Sequence, residues 1–160
     1  MNLRNGQRPW NRLLISAGVL AALTMASPAH ASQAEHVKAS HAWLRVLPAE
    51  LPAGAYVTLE NTGDQPATLT SASSPSYAHA MLHQSASEGG TSRMSMVDAL
   101  PVPAHGKTAL APAGYHLMLM KAVHPVSAGD TVVVTLTFSD GSKLTTPFIA
   151  RPANAIDADH

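Results

Sequence analysis

Beyond residue 31 the sequence consists of short segments in which apolar and polar residues alternate, and turn-forming residues separate these segments. The clearest segment is TVVVTLTF at 131–138, which the pair Asp140-Gly141 separates from a further segment at 143–149. Alternation is typical of a β-strand with one buried face, and no apolar repeat of about 3.6 residues persists in this region. The pattern therefore predicts an all-β domain, built as an antiparallel sandwich or barrel.

The predicted strands are bounded by the Pro, Gly, Asn and Asp residues that end each alternating segment. They span 37–47, 55–60, 67–72, 78–84, 93–97, 107–110, 116–122, 131–138 and 143–149. The polar segment 85–90 is expected to be a loop. Residues 152–160 carry no apolar pattern, so we expect a flexible C-terminal tail there.

The first 31 residues have the form of a secretory signal peptide. Arg4, Arg8 and Arg12 precede an apolar stretch at 13–26, and Ala29-His30-Ala31 follows with small residues where signal peptidase requires them. The apolar stretch is shorter than the roughly 20 residues that span a bilayer, which disfavours a membrane anchor. We predict cleavage after Ala31, a periplasmic location and no membrane span after processing. The domain boundaries are then 1–31 for the signal peptide, 32–151 for the barrel and 152–160 for the tail.

Charge and the absence of cysteine exclude several classes of function. The sequence has ten basic and ten acidic residues, and three of the basic ones precede residue 32, so the processed chain has a net charge of −3. Nucleic-acid binders usually carry a basic excess, and we expect no nucleic-acid partner. The sequence has no cysteine, which excludes disulfides, thiolate zinc sites, iron–sulfur clusters, blue-copper sites and thiol catalysis. No nucleophile–base–acid set stands out, so we predict that the protein is not an enzyme.

Histidine and methionine residues are concentrated in one part of the chain. The window 79–120 contains every methionine beyond residue 31, and three histidines lie close to these methionines in it: Met81, Met94, Met96, Met118, Met120, His79, His83 and His116. In a strand, residues two apart project from the same face, about 6.6–6.8 Å from each other. His116 and Met118 therefore share a face, while Leu117 and Leu119 project from the opposite one. Segments 79–83 and 94–96 repeat this arrangement.

Imidazole and thioether groups together form a ligand set that suits copper. Thioether sulfur is soft and neutral, so it selects Cu(I) over Zn²⁺, Mg²⁺ or Ca²⁺. Methionine is also a common filler of hydrophobic cores. The spacing alone leaves two interpretations open, a Cu(I) site and a methionine-rich core, and favours neither.

The four residues His83, Met94, His116 and Met118 resemble a known signature. Their spacing matches the H-x10-M-x21-H-x-M pattern of the PCu(A)C periplasmic copper chaperones at every step. The segments around them, at 42–45, 54–63, 102–104 and 112–120, are also similar to that family. The resemblance covers about residues 40 to 150, which is nearly the whole domain.

This resemblance implies a cupredoxin-like Greek-key β-barrel with a Cu(I) site formed by His83, Met94, His116 and Met118. It also implies that the protein delivers copper to the CuA centre of cytochrome c oxidase, alongside Sco-type thiol proteins. Four nearby residues lie outside the signature. We expect Met96 and Met120 to form a hydrophobic collar around the copper. We assign no role to His79 and Met81. Some relatives carry a His- and Met-rich tail, but here the tail contains only His160.

Two other functions compete with this hypothesis. A periplasmic copper buffer would use the same site for copper tolerance, without a dedicated acceptor. A β-sandwich assembly module that binds no metal would instead bury Met94 and Met118 in its core.

Overall fold

The computed structural model describes residues 32–48 and 51–158, and the predicted signal peptide, its cleavage site and His160 lie outside these residues. One short helix precedes a succession of strands. The elements are α1 (Gln33–His36), β1 (Val37–Arg45), β2 (Ala53–Asn61), β3 (Ala67–Ser73), β4 (Tyr77–Glu88), β5 (Thr91–Met96), β6 (Leu100–Val102), β7 (Lys107–Leu110), β8 (Tyr115–Ala122), β9 (Thr131–Phe138) and β10 (Lys143–Arg151). The predicted all-β class is confirmed. No helix in the described ranges has the length and apolar character needed to cross a membrane.

The strands pair in the order β5-β4-β8-β2-β1-β10-β9-β3-β6, and β7 pairs with β2 outside this order. Strand β2 has three partners. It pairs with β1 along one edge, and on the other edge its first residues pair with β8 and its later residues, 57–60, pair with β7. The sheet is mixed, since residues 43–45 of β1 run parallel to residues 149–151 of β10. The prediction of a wholly antiparallel arrangement is wrong at this pair. These two strands come from opposite ends of the domain, and no local turn sets their relative direction.

Apart from the exposed edge strand β5, the strands contribute apolar residues to one main core. In β9 the buried positions alternate with exposed or half-buried ones, and Val134, Leu136 and Phe138 are fully enclosed. In β8 the core residues are Leu117 and Leu119. The predicted turn at Asp140-Gly141 is present, and Gly141 has a φ of 81°, which few other residues adopt readily. The strand periodicity read from the sequence thus corresponds to the buried face.

Three elements differ from the prediction. The segment expected to be a loop at 85–90 instead extends β4 to Glu88, and the turn is Gly89-Gly90, where both φ angles are positive. A two-residue hairpin turn of this kind requires positive φ at both positions. The polar side chains of the strands that flank the turn are tolerated because β5 is an exposed edge strand. The helix α1 and strand β6 were not predicted, because elements of three or four residues are too short to display a period.

The C-terminal segment also differs from the expected loose tail. Residues 152–158 continue from β10, and Ala155 is buried against Trp43 and Tyr56. The Arg45 Nε donates a hydrogen bond to the carbonyl oxygen of Ala155 at 3.0 Å. A guanidinium nitrogen of Arg151 donates to the carbonyl of Ala158. Small residues that fill a gap beside aromatic rings leave no periodic signal in a sequence.

The core assignment predicts a clear difference between the two faces of β9. We expect Leu136→Ala to lower the free energy of unfolding by about 2–5 kcal/mol, because it leaves a cavity in the core. Val133→Ala, on the exposed face of the same strand, is the matched control and should cost less than about 1 kcal/mol. Denaturant unfolding without added metal measures both, and equal losses would contradict the assignment of faces.

Candidate metal centre

Strands β4, β5 and β8 present histidine and methionine residues from a single face. In the β4–β8 pair, His83 lies opposite His116, Met81 opposite Met118 and His79 opposite Met120. In the β4–β5 pair, Met96 lies opposite His83 and Met94 opposite Ser85. Directly opposed residues of an antiparallel pair project from the same side of the sheet. We call this set of eight residues the soft-ligand face: His79, Met81, His83, Met94, Met96, His116, Met118 and Met120.

The other face of the same strands explains why the chain folds in this register. Leu82, Leu117 and Leu119 alternate with the soft-ligand residues and are buried in the core. A shift of one residue would expose these leucines and bury the imidazoles, so apolar burial selects the observed pairing. The face sharing predicted within 79–83, 94–96 and 116–118 is therefore present.

The imidazoles of His83 and His116 lie at the centre of this face. Their ring centroids are 5.9 Å apart, and the ring planes are inclined by 78°. His116 is only 6% exposed, and its Nδ1 lies 3.1 Å from the carbonyl oxygen of Gly114. A carbonyl oxygen only accepts hydrogen bonds, so Nδ1 carries the proton and donates it. The lone pair of the neutral ring is then on Nε2, which is the form that binds a metal.

The imidazole of His83 has an unsatisfied nitrogen. Its Nδ1 is buried and has no hydrogen-bond partner within the part of the chain that the structure describes. Burial lowers the pKa of His83 from its ordinary value, and the neighbouring His116 lowers this pKa further. Both effects favour the neutral form of the ring. A buried polar atom without a partner calls for an explanation such as a bound ion, and a neutral imidazole fits a copper ion.

The thioethers lie around the two histidines at different depths. Met118 is half-buried and follows His116 on the same face of β8. Met94 and Met96, on the edge strand β5, are 54% and 66% exposed. Met96 is directly opposite His83, whereas Met94 is one step farther along this face. The exposure of Met94 contradicts the methionine-core alternative, which required it to be buried. The four predicted ligands share one face, and their binding of copper stays a prediction.

Aromatic residues from β1 and β2 border the histidine pair. The rings of Tyr56 and His116 are 6.4 Å apart, and Trp43 packs against Tyr56 with a centroid distance of 4.5 Å. The guanidinium of Arg45 lies 5.6 Å from each aromatic centroid. Burial raises the pKa of Tyr56, and the positive charge of Arg45 opposes part of that rise. The site therefore has an aromatic wall on the side away from β5.

Two backbone features make room for this wall. The pairing of β1 with β2 is interrupted between Ser40 and Trp43, and His41 has a φ of 51°. This bulge changes which face the following residues occupy, so Trp43 leaves the core side. Gly54 lies opposite Met118, and a Cβ added there would be 2.5 Å from the hydroxyl oxygen of Tyr56. Sequence reasoning assigned no site role to these residues, since no local pattern indicates which strands become neighbours.

The donor set of this face differs from that of a hard-metal site. Among the described residues, no group of three or more His, Cys, Asp or Glu side chains is arranged to hold a metal ion. A site for zinc, calcium or magnesium would require such a group. Besides the imidazoles of its histidines, the soft-ligand face offers thioether donors, and these favour a soft ion.

Comparison with known proteins relates this chain to proteins with the same architecture. Residues 37–149 match the family described as "Putative lipoprotein LpqE-like". The putative lipoprotein Lxx21020 of Leifsonia xyli subsp. xyli is 35% identical over 111 residues, which are 69% of this chain and 66% of that protein. The chain thus spans just under two thirds of the length of that curated relative.

Solved structures of PCuAC domains have the same fold. The copper-bound PCuAC domain from PmoF2 has a TM-score of 0.62 at 23% identity, covering 77% of this chain and 98% of that one. The solution structure of Cu(I)-DR1885 from Deinococcus radiodurans has a TM-score of 0.57 at 34% identity, covering 76% and 78%. The expected cupredoxin-like β-fold is confirmed. By the match over residues 37–149, this chain belongs to the LpqE-like family, and its domain has the fold of the PCuAC copper-binding proteins.

Proposed function

We propose that this protein is a periplasmic copper chaperone that binds Cu(I) through His83, Met94, His116 and Met118. The observation that carries the proposal is the facing pair of imidazoles, His83 with a buried unpartnered nitrogen and His116 with an Nδ1 held by a backbone carbonyl. Thioethers lie next to this pair on the same face. The similar structures from PmoF2 and Deinococcus radiodurans contain copper, which supports the same cargo here.

The ligands allow copper to be held and then released. All four are uncharged, so the bound ion keeps its single positive charge, and no ligand has to be protonated before it leaves. Met94 lies on the exposed edge strand and is the ligand that a partner reaches first. Thiolates bind Cu(I) more strongly than thioethers do, so a partner with cysteine ligands replaces them stepwise. The role is therefore transfer by ligand exchange, without enzymatic turnover.

The acceptor that best matches this chemistry is the CuA centre of cytochrome c oxidase, with Sco-type thiol proteins as companions. A cysteine-free carrier with thioether ligands avoids the oxidation to which a lone thiol is exposed outside the cytoplasm. The periplasmic assignment draws on the signal-peptide pattern of residues 1–31. It is also consistent with the description of the matched family as putative lipoproteins.

The copper site predicts a specific loss of affinity. We expect His116→Ala and Met118→Leu each to weaken Cu(I) binding by more than about tenfold, because each removes one donor while Leu preserves the volume of Met. Competition with a chromogenic Cu(I) chelator measures the change. His105→Ala is the control, since His105 pairs with Asp64 at 2.7 Å and lies outside the soft-ligand face. If both site variants bind Cu(I) as tightly as the parent, the proposed site is wrong.

Delivery and buffering predict different phenotypes for a strain that lacks this protein. For a chaperone, we expect cytochrome c oxidase activity to fall at low copper and to return with the parent gene but not with the His116→Ala gene. Measurement of oxidase activity and of growth across a copper series distinguishes the two functions. Normal oxidase activity combined with sensitivity to high copper would contradict delivery and favour the buffer.

Export can be tested on the processed protein. We expect the first residue after processing to be Ser32, because small residues occupy positions 29 and 31. Amino-terminal sequencing of protein from the periplasmic fraction gives the result. An intact amino terminus at Met1 in that fraction would contradict cleavage.

A further inference from the structure

Besides Met96 on β5, three residues of the soft-ligand face are not used by the proposed copper site: His79, Met81 and Met120. His79 lies opposite Met120, and Met81 lies opposite Met118. The pairing of β4 with β8 is regular from His79 to Gln84, so these side chains project from the same side as His83 and His116. The outer surface of this strand pair thus contains three successive opposed pairs made only of histidine and methionine.

Core packing does not account for these three residues. The residues that pack inward at this end of the strands are Ala80 and Leu119. Met81 is 37% exposed, and the imidazole of His79 is exposed and makes no side-chain hydrogen bond or ion pair within residues 32–48 and 51–158.

Strand β9 provides a contrast in the same molecule. Its residues outside the core are those common on a solvent-facing strand, Thr131, Val133, Thr135 and Thr137. Soft donors at the corresponding outward positions of β4 and β8 therefore point to a ligand.

We propose that His79, Met81 and Met120 form a second subsite for a soft monovalent metal ion, Cu(I) in the first instance. The Cβ atoms of directly opposed residues are about 4.5–5.5 Å apart, so an imidazole and a long thioether side chain can converge on one ion. One nitrogen and two sulfur donors, all neutral, are the same donor types as in the proposed chaperone site. Hard divalent ions find no carboxylate among them.

The position of this subsite gives it a connection to the first. His79 and His83 are four residues apart on β4, which is about 13 Å along the strand. The pair Met81 and Met118 lies midway between them, so thioether sulfur is available over the whole interval. A metal ion loaded at His79 can therefore reach the imidazoles of His83 and His116 through successive exchange of neutral ligands.

The subsite is tested by Cu(I) stoichiometry on the processed protein, with chelators of increasing affinity as competitors. We expect two equivalents in the parent, the second at least tenfold weaker because its histidine is exposed. His79→Ala and Met120→Leu are each expected to remove the weaker equivalent and leave the tighter one. In the double variant His116→Ala/Met118→Leu, one equivalent should remain and should disappear when His79→Ala is added. His124→Ala, an exposed histidine outside the soft-ligand face, is the matched control.

The outcomes separate this proposal from the proposed function. A single equivalent that His116→Ala removes and that His79→Ala and Met120→Leu leave unchanged would overturn the second subsite while the chaperone site stands. A single equivalent that survives His116→Ala/Met118→Leu and depends on His79 would support the subsite and contradict the chaperone site. A parent protein that binds no Cu(I) would overturn both. Circular dichroism of each variant verifies that the fold is retained.

Discussion

The pairing of β4 with β8 is the constraint on which the candidate site depends. This one register places His83 opposite His116 and Met81 opposite Met118. It is maintained from the opposite side of the sheet, where Leu82, Leu117 and Leu119 are buried. Burial of such a side chain stabilises the fold by about 1.5–3 kcal/mol, and a shift of one residue would lose all three contributions together. The hydrophobic core therefore determines the geometry of a polar site that it does not touch.

The edge strand β5 exposes two methionines that the stability of the fold does not require. Met94 and Met96 are large apolar side chains on an edge strand, where solvent exposure brings no gain in stability. Natural sheets usually place charged or β-branched residues at such positions. Exposed apolar side chains of this kind mark surfaces that bind something. Here, the exposed side chains are the ones whose sulfur atoms an ion or a partner can approach.

Neighbouring segments complete the site by controlling the histidines. The carbonyl of Gly114 selects the tautomer of His116, and Tyr56 lies beside the same ring. Tyr56 is in turn packed by Trp43 and by Ala155 from the C-terminal segment. Each of these groups comes from a different part of the chain. Their combined effect is a pair of oriented imidazoles that is open toward β5 and closed toward β1.

The sequence by itself determined the strand periodicity, the segregation of leucine from histidine and methionine, and the soft chemistry of the donors. These properties depend on residues two apart in one strand, and local sequence contains them in full. Only the tertiary structure decided that three strands bring their donors to one face, that Met96 rather than Met94 lies opposite His83, and that β1 runs parallel to β10. It also decided that residues 152–158 pack beside the site. Such contacts join residues far apart in the chain. Their register follows from burial of the whole core, and the sequence of a single segment does not contain that information.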